Sequence, residues 1–317
     1  MACYSYVFYV TEAPLRGNSL AAKFKPKSLS ILTNALYYAL ISLVAAGCLD
    51  VTFKRYSRKT RSRGIYVFIC GFVWMIAQLV MFKVNGQTPV FDAKTVSYGI
   101  AAGIMIAAAN IILIECLTHL DVSLGSTIYR LNTIGVIILS FVFLGEGLGL
   151  IKLSGVTLGI VSILLLYGAS PHHATSPAIR VFIGAAVVAS LCRAIFGVLS
   201  KHALDIGADS STMLLFAALC WVAGGLAYAL IRERPIKITS QKIGYGVVSG
   251  LLLTVVAGAL IEALKFGEAS IVAPIANLSF VIALLISAAM GMERITSRKL
   301  IAIALAAGSI VLLAQAA

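Results

Sequence analysis

Two stretches, LGSTIYRLNTIGVIILSFVFLGEGLGLIKLSG (124–155) and ASIVAPIANLSFVIALLISAAMGMERITSRKLIA (269–302), decide how this chain is organised. Laid over each other at a shift of 147 positions, they match at Ser140/Ser287, Glu146/Glu293 and Lys152/Lys299. The same shift, extended without a gap, pairs Glu115 with Glu262, Asp121 with Glu268, Ser123 with Ser270 and Lys54 with Lys201. It also superposes Gly99 on Gly246, Gly103 on Gly250, and the only two tryptophans, Trp74 and Trp221. Half of the 12 acidic residues fall into these pairs, so the match is not a by-product of composition. Self-similarity at one fixed offset is the mark of a duplicated unit.

Each copy contains five apolar runs. A membrane-spanning helix needs about 20 mostly apolar residues, because the hydrocarbon core is ~30 Å thick. Ten runs approach that length: 30–50, 65–82, 97–118, 124–144, 151–168, 181–200, 212–231, 243–264, 269–290 and 299–315. The composition agrees, with 60% hydrophobic residues, 12% charged residues and a mean hydropathy of +1.00. Soluble domains carry roughly a quarter charged residues to wet their surface. A soluble enzyme, a disordered chain and a secreted disulfide scaffold are excluded together. The expected fold is an all-α integral membrane protein of ten transmembrane helices, built as two inverted five-helix repeats. Inversion follows because five is odd, so the second copy enters the membrane from the opposite face. That plan recurs in secondary transporters.

The expected division is an interfacial or disordered N-terminal segment (1–29), repeat 1 (30–170), a linker (171–180) and repeat 2 (181–317). The net charge of +13 comes mostly from basic loops beside apolar runs, a topology signal rather than a nucleic-acid footprint. Odd-numbered loops hold 14 of the 25 basic residues, which favours termini outside. The six cysteines form no CxxC pair, and no Walker A, HExxH or GxSxG pattern occurs. No cofactor, metal or enzymatic activity is expected. The His172–His173 pair falls in the linker and reads as solvated.

The two quoted stretches resemble the repeat signature of the drug/metabolite transporter superfamily, EamA type, over roughly residues 30–317. In that pattern a helix opens near a proline, ends in a Gly-Glu or Glu-Arg turn, and is followed by the last helix of its half. Thr127 stands where Pro274 supplies the proline in the second copy. The resemblance implies ten helices, with the first four of each half lining a central cavity, and termini inside.

Charged groups within spans are rare because each costs roughly 2.5–3.5 kcal/mol by insertion scales. Arg130 shares a helical face with Ser123, Ser126, Thr133 and Ser140, and Asn277 takes its place in the second copy. Glu115 and Glu262, near the ends of helices three and eight, are candidate substrate or proton sites. Glu115 is also a candidate partner for Arg130 across the turn at 119–122. Arg193 has Ala46 at its repeat position and Glu262 as a conceivable partner. Trp74 and Trp221 are placed at mid-span as cavity walls, with Gln78 on the Trp74 face. Tyr37 and Asn110 complete the candidate binding residues. Glu146 and Glu293 read as turn carboxylates satisfying helix N-terminal amides. The glycine pairs of helices three and eight read as close-packing positions.

The expected function is secondary active transport of a small polar organic solute, amino-acid or other metabolite-like, by alternating access, with proton coupling or exchange as modes. The alternative is a flippase for a lipid or lipid-linked headgroup, and a non-transporting scaffold ranks third. The expected partners are the small-molecule substrate and the bilayer, in a monomer or homodimer. The expected location is the cell (plasma or inner) membrane, multi-pass.

Overall fold

The computed structural model describes residues 26–57, 63–116, 119, 128–167, 177–233, 239–291 and 295–316. These residues form ten helical spans: α1 (Pro26–Ser57), α2 (Gly64–Val84), α3 (Ala93–Cys116), α4 (Ile128–Leu144), α5 (Leu150–Tyr167), α6 (Pro177–Asp205), α7 (Ser210–Arg232), α8 (Ser240–Phe266), α9 (Ala269–Ala289) and α10 (Ser297–Ala316). Eight are long and apolar enough to cross a membrane, and α4 and α5 are shorter apolar helices. The expected ten-helix, all-α fold is observed. Two ends run further than the apolar runs suggest: α1 continues to Ser57 and α6 to Asp205. The N-terminal segment before Pro26, the His172–His173 pair, Asp121, Ser123 and Glu293 lie outside the described residues.

Helix starts follow ordinary capping chemistry. Asp92 accepts the Thr95 amide at 3.0 Å and opens α3, and Asp209 accepts the Thr212 amide at 2.8 Å and opens α7. Hydrogen bonding from Thr95 holds the Asp92 carboxyl below its usual range. At the other end of α4, Gly145 turns the chain with φ 66°, a left-handed conformation that suits a residue without Cβ.

Packing obeys the repeat. The partners α1·α8 and α3·α6 are exchanged by the 147-residue shift, as are α3·α7 and α2·α8, while α2·α7 and α5·α10 pair with themselves. The glycines show this at atomic scale. A Cβ added at Gly99 would lie 3.2 Å from the Phe216 side chain, and one at Gly246 would lie 2.6 Å from Ile69, the repeat mate of Phe216. Gly103 likewise abuts Cys220, and Gly250 abuts Val73, again a matched set. The small residues therefore let crossing helices meet almost backbone to backbone. A further pair is matched with the roles swapped. Gly47 on α1 gives way to Ile282 on α9, whereas Gly135 on α4 gives way to Ala194 on α6, and Ala194 and Gly135 occupy the repeat positions of Gly47 and Ile282.

Both α4 and α9 are interrupted at repeat-related points. In α9 the ladder shortens to i→i−3 bonds: Leu278 N donates to Ile275 O at 3.0 Å and Val281 N to Leu278 O at 3.0 Å. In α4, Leu131 N donates to Ile128 O at 3.2 Å and Ile134 N to Leu131 O at 3.0 Å. Pro274 lies one turn before the α9 break, but α4 breaks without a proline, so the interruption belongs to the duplicated architecture rather than to one residue. Among the carbonyls that lose their usual amide at the breaks are that of Arg130 in α4 and that of Asn277 in α9.

Candidate functional site

The two breaks frame a cavity between the repeats. Its volume is about 230 Å³, on the scale of a small organic molecule. Its wall comes from α1, α2, α3 and α4 of the first half and α6, α7, α8 and α9 of the second, while α5 and α10 contribute nothing to it. Wall residues are drawn from the C-terminal half of α1, the N-terminal half of α2 and the N-terminal part of α4. The cavity thus lies between the middle of the bundle and the face opposite the start of α1 and the end of α10.

Arg130 is the centre of its polar wall. The guanidinium donates to the freed Asn277 carbonyl at 2.8 Å, to Ser279 Oγ at 3.1 Å and to Asp50 Oδ2 at 2.5 Å. Ser279 also donates to Asp50 Oδ2 at 3.1 Å, and the Phe280 ring lies 5.6 Å below the guanidinium carbon. The broken helix of one repeat therefore supplies the acceptor for the cation of the other. Gly47, one turn before Asp50, permits this: a Cβ there would lie 2.9 Å from Ser279 O. Beside this pair, the buried Asn277 amide donates to Asn132 Oδ1 at 2.7 Å and Thr133 Oγ1 at 3.0 Å.

Deeper in the wall, Trp74 and Trp221 meet edge to face with centroids 6.2 Å apart. Their indole N–H groups are buried without a hydrogen-bond acceptor. Gln78, on the Trp74 face, donates to Ser211 O at 3.1 Å. Asn110 Nδ2 donates to Ile106 O at 2.8 Å, and Tyr66 donates to Ser249 Oγ at 2.6 Å. Arg193 lies over the Tyr129 ring at 5.3 Å and donates to its hydroxyl at 3.3 Å.

Six of the nine residues singled out from sequence line this cavity: Trp74, Asn110, Arg130, Arg193, Trp221 and Asn277. Three are placed elsewhere. Glu115 accepts from Tyr228 at 2.5 Å and from Arg232 at 3.0 Å in a separate shallow pocket between α3, α6 and α7. Glu262 pairs with Lys265 at 2.5 Å, one turn along its own helix. Tyr37 is 60% exposed on the outer face of α1 and touches Tyr38. The pairing of Arg130 differs from the one weighed on sequence grounds: its carboxylate partner is Asp50, not Glu115. Arg193 meets Tyr129 rather than Glu262.

A second inter-repeat cluster joins the halves on the face where α1 begins and α10 ends. Glu146, at the end of α4, accepts the backbone amides of Ala269 at 2.7 Å and Ser270 at 2.9 Å. It satisfies helix N-terminal amides as expected, but those of α9 across the bundle rather than those of the adjacent α5. Lys152 bonds Glu268, Ser270 Oγ at 3.0 Å and Gly147 O at 2.6 Å. A buried carboxylate on a helix N-terminus and a buried ammonium against a carboxylate hold α4–α5 to α9.

Comparison with known proteins gives this arrangement its family. The model of the EamA-like transporter family matches residues 19–168 and again residues 181–315, once for each repeat. The chain belongs to the EamA-like transporter family. It is therefore a multi-pass membrane transporter of the drug/metabolite transporter type, which accounts for a cavity walled by the first four helices of each half. Of the solved structures, 29 chains match this EamA-like chain. One, titled "Crystal structure of protein", superposes with a TM-score of 0.78 at 13% identity, covering 88% of this chain and 96% of its own. At that identity the likeness is one of fold. No curated protein shows a significant match.

Proposed function

We propose that this EamA-like protein is a secondary active transporter that moves a small polar organic solute by alternating access of its two inverted repeats. The repeats follow the division drawn from sequence, 30–170 and 181–317. The solute site is the cavity at the two helix breaks. Arg130, Asn277, Asn110 and Arg193 supply the polar contacts, Trp74 and Trp221 the wall, and Asp50 joins them as the counter-charge of Arg130. The observation that carries this reading is the Arg130–Asp50–Asn277 junction. It ties a charge of one half to the broken helix of the other at the wall of the cavity, so a solute that engages Arg130 alters an inter-repeat contact directly. Proton coupling and exchange both fit, since Asp50 is a carboxylate within that junction.

The test is solute flux into liposomes holding the purified protein, after a thermal-shift screen has chosen the solutes. A bound solute at ~100 times its Kd adds about 2.7 kcal/mol to stability, which is readily seen. Saturable counterflow of a soluble hit, reduced strongly by Arg130→Gln, is the expected result. Counterflow unchanged by Arg130→Gln and Asn277→Ala together would remove the site assignment. A response confined to lipid headgroups would replace solute transport by lipid translocation.

A further inference from the structure

Among the described residues, three charged side chains reach the cavity wall: Asp50, Arg130 and Arg193. Asp50 and Arg130 compensate each other at 2.5 Å. Arg193 has no such partner. It forms no ion pair with an acidic residue among those described, and its contacts are one long hydrogen bond to a neutral phenol and the face of the same ring. A guanidinium offers five N–H donors in a planar fork, so most of its capacity is unused. Arg193 is also no feature of the duplicated frame, because Ala46 stands at its repeat position and is itself in the cavity wall.

A second observation points the same way. Two wall residues carry buried polar atoms without a partner, Trp74 and Trp221, and both atoms are N–H donors. Buried donors are satisfied in the great majority of cases, so an orphan pair calls for an acceptor. The wall therefore holds one uncompensated cation and two unused donors around an otherwise largely apolar space.

We infer that the transported solute is an organic anion, and that Arg193 takes its carboxylate or phosphate group in a bidentate pair. Such a group matches the guanidinium fork and supplies the missing counter-charge. The Asp50–Arg130 pair then stays internally neutral, while the apolar wall takes the body of the solute. This assignment rests on the reading of the cavity as a transport site and names its substrate class.

The chain's only tryptophans line this cavity, so intrinsic fluorescence of the purified full-length protein reads the cavity itself. Matched probes are phenylacetate against phenylacetamide and glycerol 3-phosphate against glycerol, with benzylamine as the cation. Tryptophan emission and Tm are both followed. At least one anion is expected to act at about tenfold lower concentration than its neutral mate. Arg193→Gln removes that preference, and Arg193→Lys retains part of it because the charge remains without the fork. Equal action of neutral or cationic probes overturns the anion assignment and leaves the transport reading intact. Lysophosphatidate acting where glycerol 3-phosphate does not would uphold anion recognition and overturn the small-solute reading. Stability decides the matter should every probe be silent. Removing an uncompensated charge is expected to leave Tm unchanged or raise it by a few degrees in Arg193→Gln. A fall of several degrees would make Arg193 a packing element of Tyr129 and overturn the proposal.

Discussion

Glu146 offers the sharpest test of how α4 is held to α9 across the two halves. The residue is 7% exposed, and its carboxylate holds two backbone amides at the start of α9, at 2.7 Å and 2.9 Å. Those amides have no acceptor within their own helix, because the first turn of any helix leaves its N–H groups unpaired. Glu146→Gln keeps the shape and one acceptor oxygen, and loses one bond and the negative charge. A hydrogen bond to a charged group contributes about 1.5–3 kcal/mol. At 1.4 kcal/mol per tenfold, separation of α4 from α9 becomes roughly 10- to 150-fold more frequent. Hydrogen exchange read on a peptide spanning 268–278 measures this directly, since the exchanging amides are the bonded ones. Loss of protection confined to α9's first turn is the expected result, with α2 and α7 unaffected. Unchanged exchange in Glu146→Gln, and in Glu146→Ala as the harsher variant, would refute the view that this carboxylate holds α4 to α9.

Three other outcomes follow from the geometry. Asp50→Asn and Arg130→Gln should each destabilise the protein more than the double variant does, because each alone strands a partly buried partner; thermal denaturation of the four forms in detergent gives the coupling. Gly103→Ala and Gly250→Ala should each lower stability by about 1–3 kcal/mol and to a similar extent, since both force a Cβ against a facing helix at under 3.0 Å; a large effect at one only would contradict the matched packing. Asn277→Ala should cost about 1–3 kcal/mol by leaving Asn132 Oδ1 without its donor, and Asn277→Asp should be worse, since two acceptors would then face each other; the Tm order wild type, Ala, Asp checks it.

Much of this was legible in the sequence, because a duplication writes the same constraint twice. Ten apolar runs predicted the helices, and one pair of tryptophans, three acidic pairs and two glycine pairs predicted their duplication; the glycines turned out to be points where helices touch. What stayed hidden depended on where helices end and how they are turned. Asp50 was passed over because the apolar run of α1 stops there, whereas the helix runs two turns further and carries the carboxylate inward. The need of Arg130 for a counter-charge was the available signal, and it was aimed at Glu115, across the short turn at 119–122. Glu115 and Glu262 are repeat mates, but each has a basic neighbour on the outer side, Arg232 and Lys265. The Lys265 spacing of three was readable as a local pair. The helix breaks could not be read, since Leu131 and Leu278 are ordinary helix formers and the shortened bonds arise from packing across the two halves.

The two halves are unequal at one atom. Arg130 of the first repeat caps the carbonyl exposed at the break in α9, whereas the equivalent carbonyl of Arg130 itself accepts from the Thr133 hydroxyl at 3.3 Å, and position 277 holds an asparagine where a matching arginine would stand. In the alternating cycle proposed above, the mirror-image state has no arginine to return the contact. In that cycle the empty carrier would have a preferred resting pose, with a bias worth about one charged hydrogen bond, ~1.5–3 kcal/mol. Reorientation without cargo would be slow in one direction and quick in the other, giving a symmetric scaffold a built-in sense of direction.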